Sequence, residues 1–362
     1  MNGKAVQAGP VNAFFYMLSD RVDVELNNQP IAIGYNNAPY KAYYKCIFDN
    51  PSAPKKALPR AILWSEDSHL HFDEADPTSS GRNVGLKMRY KDTEKGEFEM
   101  MGRPMHEFFS VSTLLLPNVR VRVKLFRKDP AFSLMCAQSG ANFRIKFVEA
   151  ALRVRFCKVG QKTAQAIEKK MTATNLACYI MPDCIEVRDR QLTPGSRVYS
   201  IENFLAGEKL PSRITFALVP HKAYAGSYQL NPLRFATHGL EEISLTIDNQ
   251  TEKYVIDEQT NNYLLLYQAI AERTGCDRPG NDDEGHLPVT IKYEQLLKEY
   301  AFFPFDISPT RGGSDFSKPR VGNVRVDLKF RDKFAEPLEL LCFFENTRVF
   351  WIDKGRKVTP ST

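Results

Sequence analysis

The sequence lacks the features that place a protein in a membrane or direct it to secretion. No stretch approaches the roughly 18 uninterrupted apolar residues that a membrane-spanning helix needs. The N-terminus has no basic-then-apolar signal pattern. The seven cysteines are odd in number and have no repeating spacing, which predicts reduced, buried thiols in an intracellular compartment. They stand at positions 46, 136, 157, 178, 184, 276 and 342.

The sequence also lacks the motifs of common catalytic sites. Gly312 and Gly313 are not followed by Gly-Lys-Ser/Thr and open no helix, so they do not form a phosphate-binding loop. No Gly-x-Ser-x-Gly elbow occurs, and no local signature marks any cysteine or histidine as part of a nucleophilic pair. We therefore predict that the protein is not an enzyme and uses no cofactor.

One cluster has the residue types of a metal site. His69 and His71 stand one residue apart, with Asp67, Asp73 and Glu74 around them. The cluster lies in a proline-rich stretch, where a solvated acidic loop is the alternative interpretation. Because no further ligand motif accompanies it, we favour the solvated loop and predict no metal site.

The composition is that of a globular protein of ordinary type. The chain has 362 residues, long enough for two domains, and 43% hydrophobic with 25% charged residues excludes a disordered chain. The 24 phenylalanines and 15 tyrosines favour strands that pack face to face. A net charge of +6 permits an acidic partner such as nucleic acid without requiring one.

The most informative feature is that the chain repeats itself. Residues 118–124 return as residues 323–329 with five identities in seven positions, at an offset of 205. Alternating strands that end at Asn27 and at Asp248 form a second pair, offset by 221. A helical spacing of Tyr40, Tyr44 and Ile47 returns at residues 263, 267 and 270, offset by 223. All three pairs keep the same order, and a period near 200 residues is far longer than the roughly 20–50 residues of a solenoid unit, so a duplicated domain is favoured.

The repeat predicts an all-β fold of two tandem antiparallel β-sandwiches, a double jelly roll, with short helices and long loops. We place the first domain at residues 1–160 and the second at residues 176–362. Ala164, Ile167 and Met171 have helical spacing, which predicts a linker helix at residues 161–175. Long loops are predicted at residues 50–102 and 309–322.

Residues 107–159 show the strongest strand pattern, with alternating apolar positions around Val121, Ile145 and Val154. The polar positions between them are often basic, which predicts a positive sheet face that could contact phosphates. Basic residues also protect sheet edges from aggregation, and we favour that alternative. The basic positions on which this rests are Arg120, Arg122, Lys124, Arg153 and Arg155.

Short runs along the whole chain resemble a known family. The runs are Gly9-Pro10-Val11-Asn12, Val22-Asp23-Val24-Glu25-Leu26-Asn27, Pro39-Tyr40-Lys41-Ala42-Tyr43, Phe132-Ser133-Leu134-Met135, Leu210-Pro211-Ser212-Arg213-Ile214, Ala223-Tyr224-Ala225-Gly226-Ser227-Tyr228 and Phe305-Asp306-Ile307-Ser308-Pro309. They are similar to reading frames of Polinton/Maverick and adintovirus-like elements in nematodes, cnidarians and arthropods. The resemblance implies a hexon-like capsid protein of double jelly-roll type. It gives a structural or assembly role to Tyr40, Tyr44, Asn118, Gly226, Tyr228, Asn231, Pro232 and Asn323.

The resemblance further implies a virion protein that assembles inside the host cell, in the cytoplasm or nucleus, as pseudo-hexagonal homotrimers. Its expected partners are copies of itself and other capsid proteins, with weak non-specific DNA contact and no membrane. The alternative is a penton, minor capsid or internal virion protein that binds nucleic acid through basic sheet faces. Family members carry a further stretch before the part that matches Gly9, so we expect either a truncated start or a first sandwich that is incomplete at its N-terminal side.

Overall fold

A computed structural model describes residues 7–32, 36–48, 58–79, 82–174, 176–202, 204–205, 208–274, 291–308 and 321–360. The predicted loop at 309–322 therefore lies outside the described residues except for its last two positions. The strands are β1 Gly9–Pro10, β2 Ser19–Leu26, β3 Gln29–Ala32, β4 Val121–Arg127, β5 Leu134–Met135, β6 Leu176–Leu192, β7 Val198–Ile201, β8 Arg213–Pro220, β9 Leu240–Ile247, β10 Gln250–Val255, β11 Phe302–Asp306, β12 Val324–Phe330, β13 Leu338–Asp353 and β14 Val358–Pro360.

The helices are α1 Phe14–Met17, α2 Ala38–Phe48, α3 Leu58–Ala61, α4 Val84–Thr93, α5 Pro130–Ser133, α6 Gln161–Thr174, α7 His221–Ala225, α8 Leu264–Thr274 and α9 Tyr293–Glu299, with a 3₁₀ helix at Glu107–Ser110. The described residues are thus rich in sheet with short helices, which confirms that part of the predicted fold class. None of the described helices combines the length and apolarity needed to cross a lipid bilayer.

The two halves contain the same three-stranded arrangement. In the first, β2 turns into β3 and pairs with β4 on its other side. In the second, β9 turns into β10 and pairs with β12 on its other side. The turn residues Asn27, Asn28, Asp248 and Asn249 all have positive φ, between 46° and 72°. Asn and Asp tolerate this conformation, and two such residues give the tight turn whose hand matches strand twist.

The return strands β4 and β12 occupy equivalent places because each pairs with the first strand of its hairpin. The identical residues of the sequence repeat do not lie at equivalent positions in the two strands. Leu26 lies opposite Val121, and Ile247 lies opposite Val324, so the return strands are offset by 203 residues. The repeated letters, with their offset of 205, are therefore two positions out of step. A shift of two keeps each side chain on the same sheet face, since faces alternate along a strand. The sequence therefore predicts the correct faces at the wrong register.

The larger core lies between two sheets of the second half. One sheet has the order β10-β9-β12-β7, and the other has the order β11-β8-β13, with β6 paired to the far side of β13. Val326 and Leu328 of β12 are buried in the same apolar cluster as Phe216 of β8 and Phe343 of β13. Each such side chain contributes about 1.5–3 kcal/mol when it is fully buried.

A smaller core lies beneath the three-stranded sheet of the first half. Val24 and Leu26 of β2 share an apolar cluster with Tyr179 of β6, Phe350 of β13 and Val358 of β14. The long strands β6 and β13 pair along nearly their whole length, with a register shift between residues 346 and 348. They therefore contribute one end to each core. The division at residues 160 and 176 stays a prediction, and α6 occupies the region predicted to join the two domains.

The strand prediction for residues 143–156 is wrong in this structure. No helix or strand forms between residues 136 and 160, although apolar and basic positions alternate there. A strand needs a neighbour for its backbone hydrogen bonds, and the described part of the chain supplies none to this segment. Local alternation is therefore insufficient to form the strand.

Candidate functional site

Helix α2 carries the first two predicted site residues into the larger core. Eight of its residues are buried, including Tyr40 and Tyr44, so it lies inside the protein rather than on its surface. The Tyr44 hydroxyl donates to Glu345 Oε1 at 2.7 Å and shares a hydrogen bond of 2.9 Å with the Thr215 hydroxyl. Its ring stacks on Phe343 at 4.5 Å. Burial raises the pKa of Tyr44, which keeps the hydroxyl protonated as a donor.

Tyr40 joins the first half to the second through aromatic contacts. Its ring stacks on Tyr224 at 6.0 Å and meets Phe132 and Phe235 edge-on at 5.5 and 6.1 Å. Pairs of this kind contribute about 0.5–1.5 kcal/mol each beyond area burial. Burial raises the pKa of Tyr40, so it too stays neutral.

Gly226 and Tyr228 contact the chain on both sides of β5. Gly226 has a φ of 112°, and a Cβ there would lie 3.3 Å from the Phe132 backbone nitrogen. The Tyr228 carbonyl accepts from the Cys136 N–H at 2.7 Å, and its hydroxyl accepts from the Phe143 N–H at 3.1 Å. Tyr228 thereby holds Cys136 and Phe143 in place, at the start of the stretch that follows β5.

Asn231 binds the proline-rich stretch predicted as a loop at residues 50–102, which we call the excursion. It is buried, and its side-chain amide donates to Asp67 Oδ2 at 3.0 Å and to the Phe72 carbonyl at 3.1 Å. Its backbone N–H donates to Asp73 Oδ1 at 2.9 Å. The next residue, Pro232, is buried as well. Asn231 therefore donates hydrogen bonds to polar groups that would cost free energy if they were buried without a partner.

The prediction of a solvated acidic loop around Asp67 is wrong. Asp67 Oδ1 lies 2.6 Å from Arg89 Nη2, and both side chains are 1% exposed. Asp73 pairs with Arg234, and His69 Nδ1 lies 2.8 Å from Glu299 Oε2. The excursion is thus bound to the second half by polar contacts. Among the residues that the structure describes, no group of three or more His, Cys, Asp or Glu is arranged to hold a metal ion.

Asn118 and Asn323 precede the two return strands. Asn118 has a φ of 64° and is exposed. The Asn323 N–H donates to Asp248 Oδ1 at 3.3 Å, and the equivalent bond in the first half runs from the Arg120 N–H to Asn27 Oδ1 at 2.8 Å. The true counterpart of Asn323 is therefore Arg120, two residues after Asn118, as the register requires.

A polar cluster that sequence reasoning missed lies between the two cores. Lys41 of α2 forms an ion pair with the buried carboxylate of Glu107. Burial would raise the pKa of Glu107, but Lys41 and His106 outweigh it and lower the pKa to about 2. Burial lowers the pKa of His106 to about 4 and raises the pKa of the Cys184 thiol to about 12. A protonated thiol is a poor nucleophile, so the cluster has the chemistry of a structural site.

The predicted basic face does not form as one surface. Arg122 and Lys124 of β4 both pair with Glu25 of β2, so their charge is partly neutralised. Arg153 and Arg155 lie outside the sheet, in a stretch that forms no helix or strand. The basic positions are therefore divided between a paired strand and a separate exposed stretch.

We call that stretch, residues 141–160, the arm. Its base is anchored: Phe143 packs edge-on against Tyr228 at 5.3 Å, and the Arg127 guanidinium lies 4.8 Å from the Phe147 ring. Beyond the base, Val154 is 57% exposed and Phe156 is 91% exposed. Five basic residues and one acidic residue give the arm a net charge of +4. Exposed apolar groups beside such charge are typical of an interaction surface.

Comparison with known proteins gives likenesses to viral capsid structures. No protein-family model matches the chain, and no curated protein matches it. The mavirus major capsid protein is 10% identical with a TM-score of 0.45, and the match covers 98% of this chain and 79% of that one. A structure of the Sputnik virophage is 10% identical with a TM-score of 0.49, covering 99% and 78%. The Faustovirus major capsid protein is 8% identical with a TM-score of 0.46, covering 96% and 73%.

Proposed function

We propose that the protein is a hexon-like major capsid protein, whose copies assemble as homotrimers into the shell of a virion. The proposal rests on the family resemblance of the short sequence runs and on the three-stranded unit that occurs in both halves. It gives the protein a structural role with no catalytic step. Its partners are further copies of itself and other capsid proteins such as pentons.

The observation that carries the proposal is the duplicated hairpin-and-return-strand unit. Two similar units in one chain mean that three copies present six similar units around an axis, which is a pseudo-hexagonal tile. In this proposal residues 1–160 and 176–362 form the two jelly-roll-like domains, joined by α6. The strand ends at residues 176–181 and 348–360 pack against β2 of the first domain in the smaller core.

A rigid connection between the units suits a tile. The pairing of β6 with β13 extends from one core to the other, so the units share strands rather than a flexible linker. The buried hydrogen bonds from Asn231 to Asp67 and to the Phe72 carbonyl add a second connection between the halves. Because interiors are close-packed, units joined in this way move together.

Light scattering of the purified protein tests the proposal. A trimer has three times the chain mass of 41.3 kDa, about 124 kDa. We expect that mass, or larger shells, at micromolar concentration. A monomer at all concentrations contradicts the proposal.

A second candidate function follows from the exposed charge of the arm. An internal virion protein could use a surface of +4 to neutralise nucleic-acid phosphates. This function predicts a monomer whose DNA affinity falls steeply as salt is added. A salt titration with a short duplex separates it from the tile, for which DNA contact is weak.

A further inference from the structure

The arm has the alternating sequence of a β-strand, but no strand of the described residues pairs with it. Leu152, Val154 and Phe156 alternate with Arg153 and Arg155, so in a β-strand the two sets lie on opposite faces. All three apolar side chains are more than half exposed. Exposed apolar groups of this size favour association that removes them from water, at about 25 cal/mol for each Å² buried.

The second half shows what such a sequence does when neighbours are present. Residues 348–351, Arg-Val-Phe-Trp, echo residues 153–156, Arg-Val-Arg-Phe. They lie in β13, where they pair with β6 on one side and, in part, with β14 on the other. The arm therefore resembles a strand that lacks its partners within the described residues.

The hairpin that contains the edge strand β10 carries the opposite charge, most of it outside β10, where Glu252 and Lys253 cancel. We call residues 240–258, which contain β9, its turn and β10, the acidic hairpin. Six acidic residues and one lysine give it a net charge of −5. β10 stands at the end of its sheet order, and Glu252 and Val255 on it are exposed. An edge strand offers unpaired backbone groups to an added strand.

We propose that the arm of one copy adds as a β-strand to the β10 edge of the acidic hairpin in a second copy. The proposal rests on the proposed function, because it specifies the contact through which that assembly forms. Opposite net charges of +4 and −5 bring these two surfaces together and select them over other pairings.

The other edges near the arm fit less well. β4 carries Arg122, Lys124 and Arg127, so it offers the positive arm like charge rather than opposite charge. Two arms from different copies repel each other for the same reason. Backbone pairing with β10 satisfies the arm's hydrogen-bonding groups, and Val255 gives its apolar side chains a contact.

The proposed contact joins the first half of one copy to the second half of the next. Such a head-to-tail contact generates a ring when the rotation between copies closes. The exposed part of the arm, residues 148–159, lies between the anchored base and α6 and has a length of up to about 40 Å when extended. A closed ring of three is the arrangement that the proposed tile requires.

Charge reversal on each side tests the contact. The arm variant is Arg153→Glu with Arg155→Glu, and the hairpin variant is Glu242→Arg with Glu252→Arg. We expect each variant to weaken association at least about tenfold and the combination of all four to restore it. Lys91→Glu with Lys95→Glu makes the same charge change on exposed residues of the first half and serves as the control. Circular dichroism checks that every variant is folded.

Light scattering and hydrogen exchange give the outcomes. Assembly that is lost in the arm variant, kept in the control and restored in the swap supports the proposal, together with protection of residues 150–157 and 250–255 in the oligomer. An oligomer unchanged by arm reversal overturns the arm contact and leaves the capsid function standing. Arm reversal that removes only binding to duplex DNA overturns the contact as well. A monomeric parent protein overturns both.

Discussion

Replacing Arg89 tests how the proline-rich excursion is attached to the rest of the molecule. Arg89 Nη2 lies 2.6 Å from Asp67 Oδ1, and its Nε donates to the Pro10 carbonyl at 2.7 Å. Arg89→Met leaves the Asp67 carboxylate buried without its cation. Removing one partner of a buried ion pair costs about 3–5 kcal/mol. We expect a loss of that size in the free energy of unfolding, measured by urea denaturation.

Two further variants make the test specific. Asp67→Asn with Arg89→Met removes both charges, so we expect a smaller loss than for Arg89→Met alone. Arg60→Met breaks the exposed pair with Asp92, at 3.0 Å, and serves as the matched control. An exposed pair contributes about 0–1 kcal/mol. Equal losses for Arg89→Met and Arg60→Met would refute the reasoning that burial sets the cost.

Three more predictions concern the junction and the polar cluster. Burial lowers the pKa of His106 from 6.5 to about 4. The unfolded chain therefore binds this proton more readily than the folded chain does. As a result, the free energy of unfolding is highest above pH 6.5 and falls as the pH drops towards 4. His106→Asn should flatten this slope in thermal melts between those pH values, and an unchanged slope would contradict it. Tyr44→Phe should cost about 1–3 kcal/mol in urea, because the buried Thr215 hydroxyl loses its partner and Glu345, which keeps Arg213 and Arg273, loses one donor. A neutral result would rule this out. Gly226→Ala should lower the free energy of unfolding by about 1–3 kcal/mol, because its φ of 112° is unfavourable for alanine. Gly96 also has a positive φ, 85°, but a Cβ there meets no neighbouring atom, so Gly96→Ala measures the backbone cost without the steric contact.

Local turn chemistry made the duplicated hairpins predictable from the sequence. The Asn27 turn and the Asp248 turn follow alternating strands, and both halves fold as that pattern indicates. The register of the return strands was not predictable from the letters. Because side-chain faces alternate, a shift of two residues preserves the pattern and changes only which residues are paired.

Long-range pairing explains what the sequence could not show. Asp67 looks solvated beside its neighbours in sequence, but its partner Asn231 lies 164 residues away. Burial of that pair depends on packing between the halves, for which the local pattern holds no signal. The same is true of β6 and β13, whose ends reach the smaller core.

The arm shows the opposite error. Its alternation around Val154 predicts a strand, and the pattern is sound, but a strand forms only when another strand binds its backbone. The described residues provide no such neighbour. The difference between prediction and structure is therefore the observation from which the proposed contact between copies is drawn.

Electron microscopy of the purified protein tests self-assembly most directly. Class averages should show a ring of three copies with six similar units, close to hexagonal in outline. Connections between units should join the arm of one copy to β10 of the next. Single particles of one chain at all concentrations would contradict the proposal.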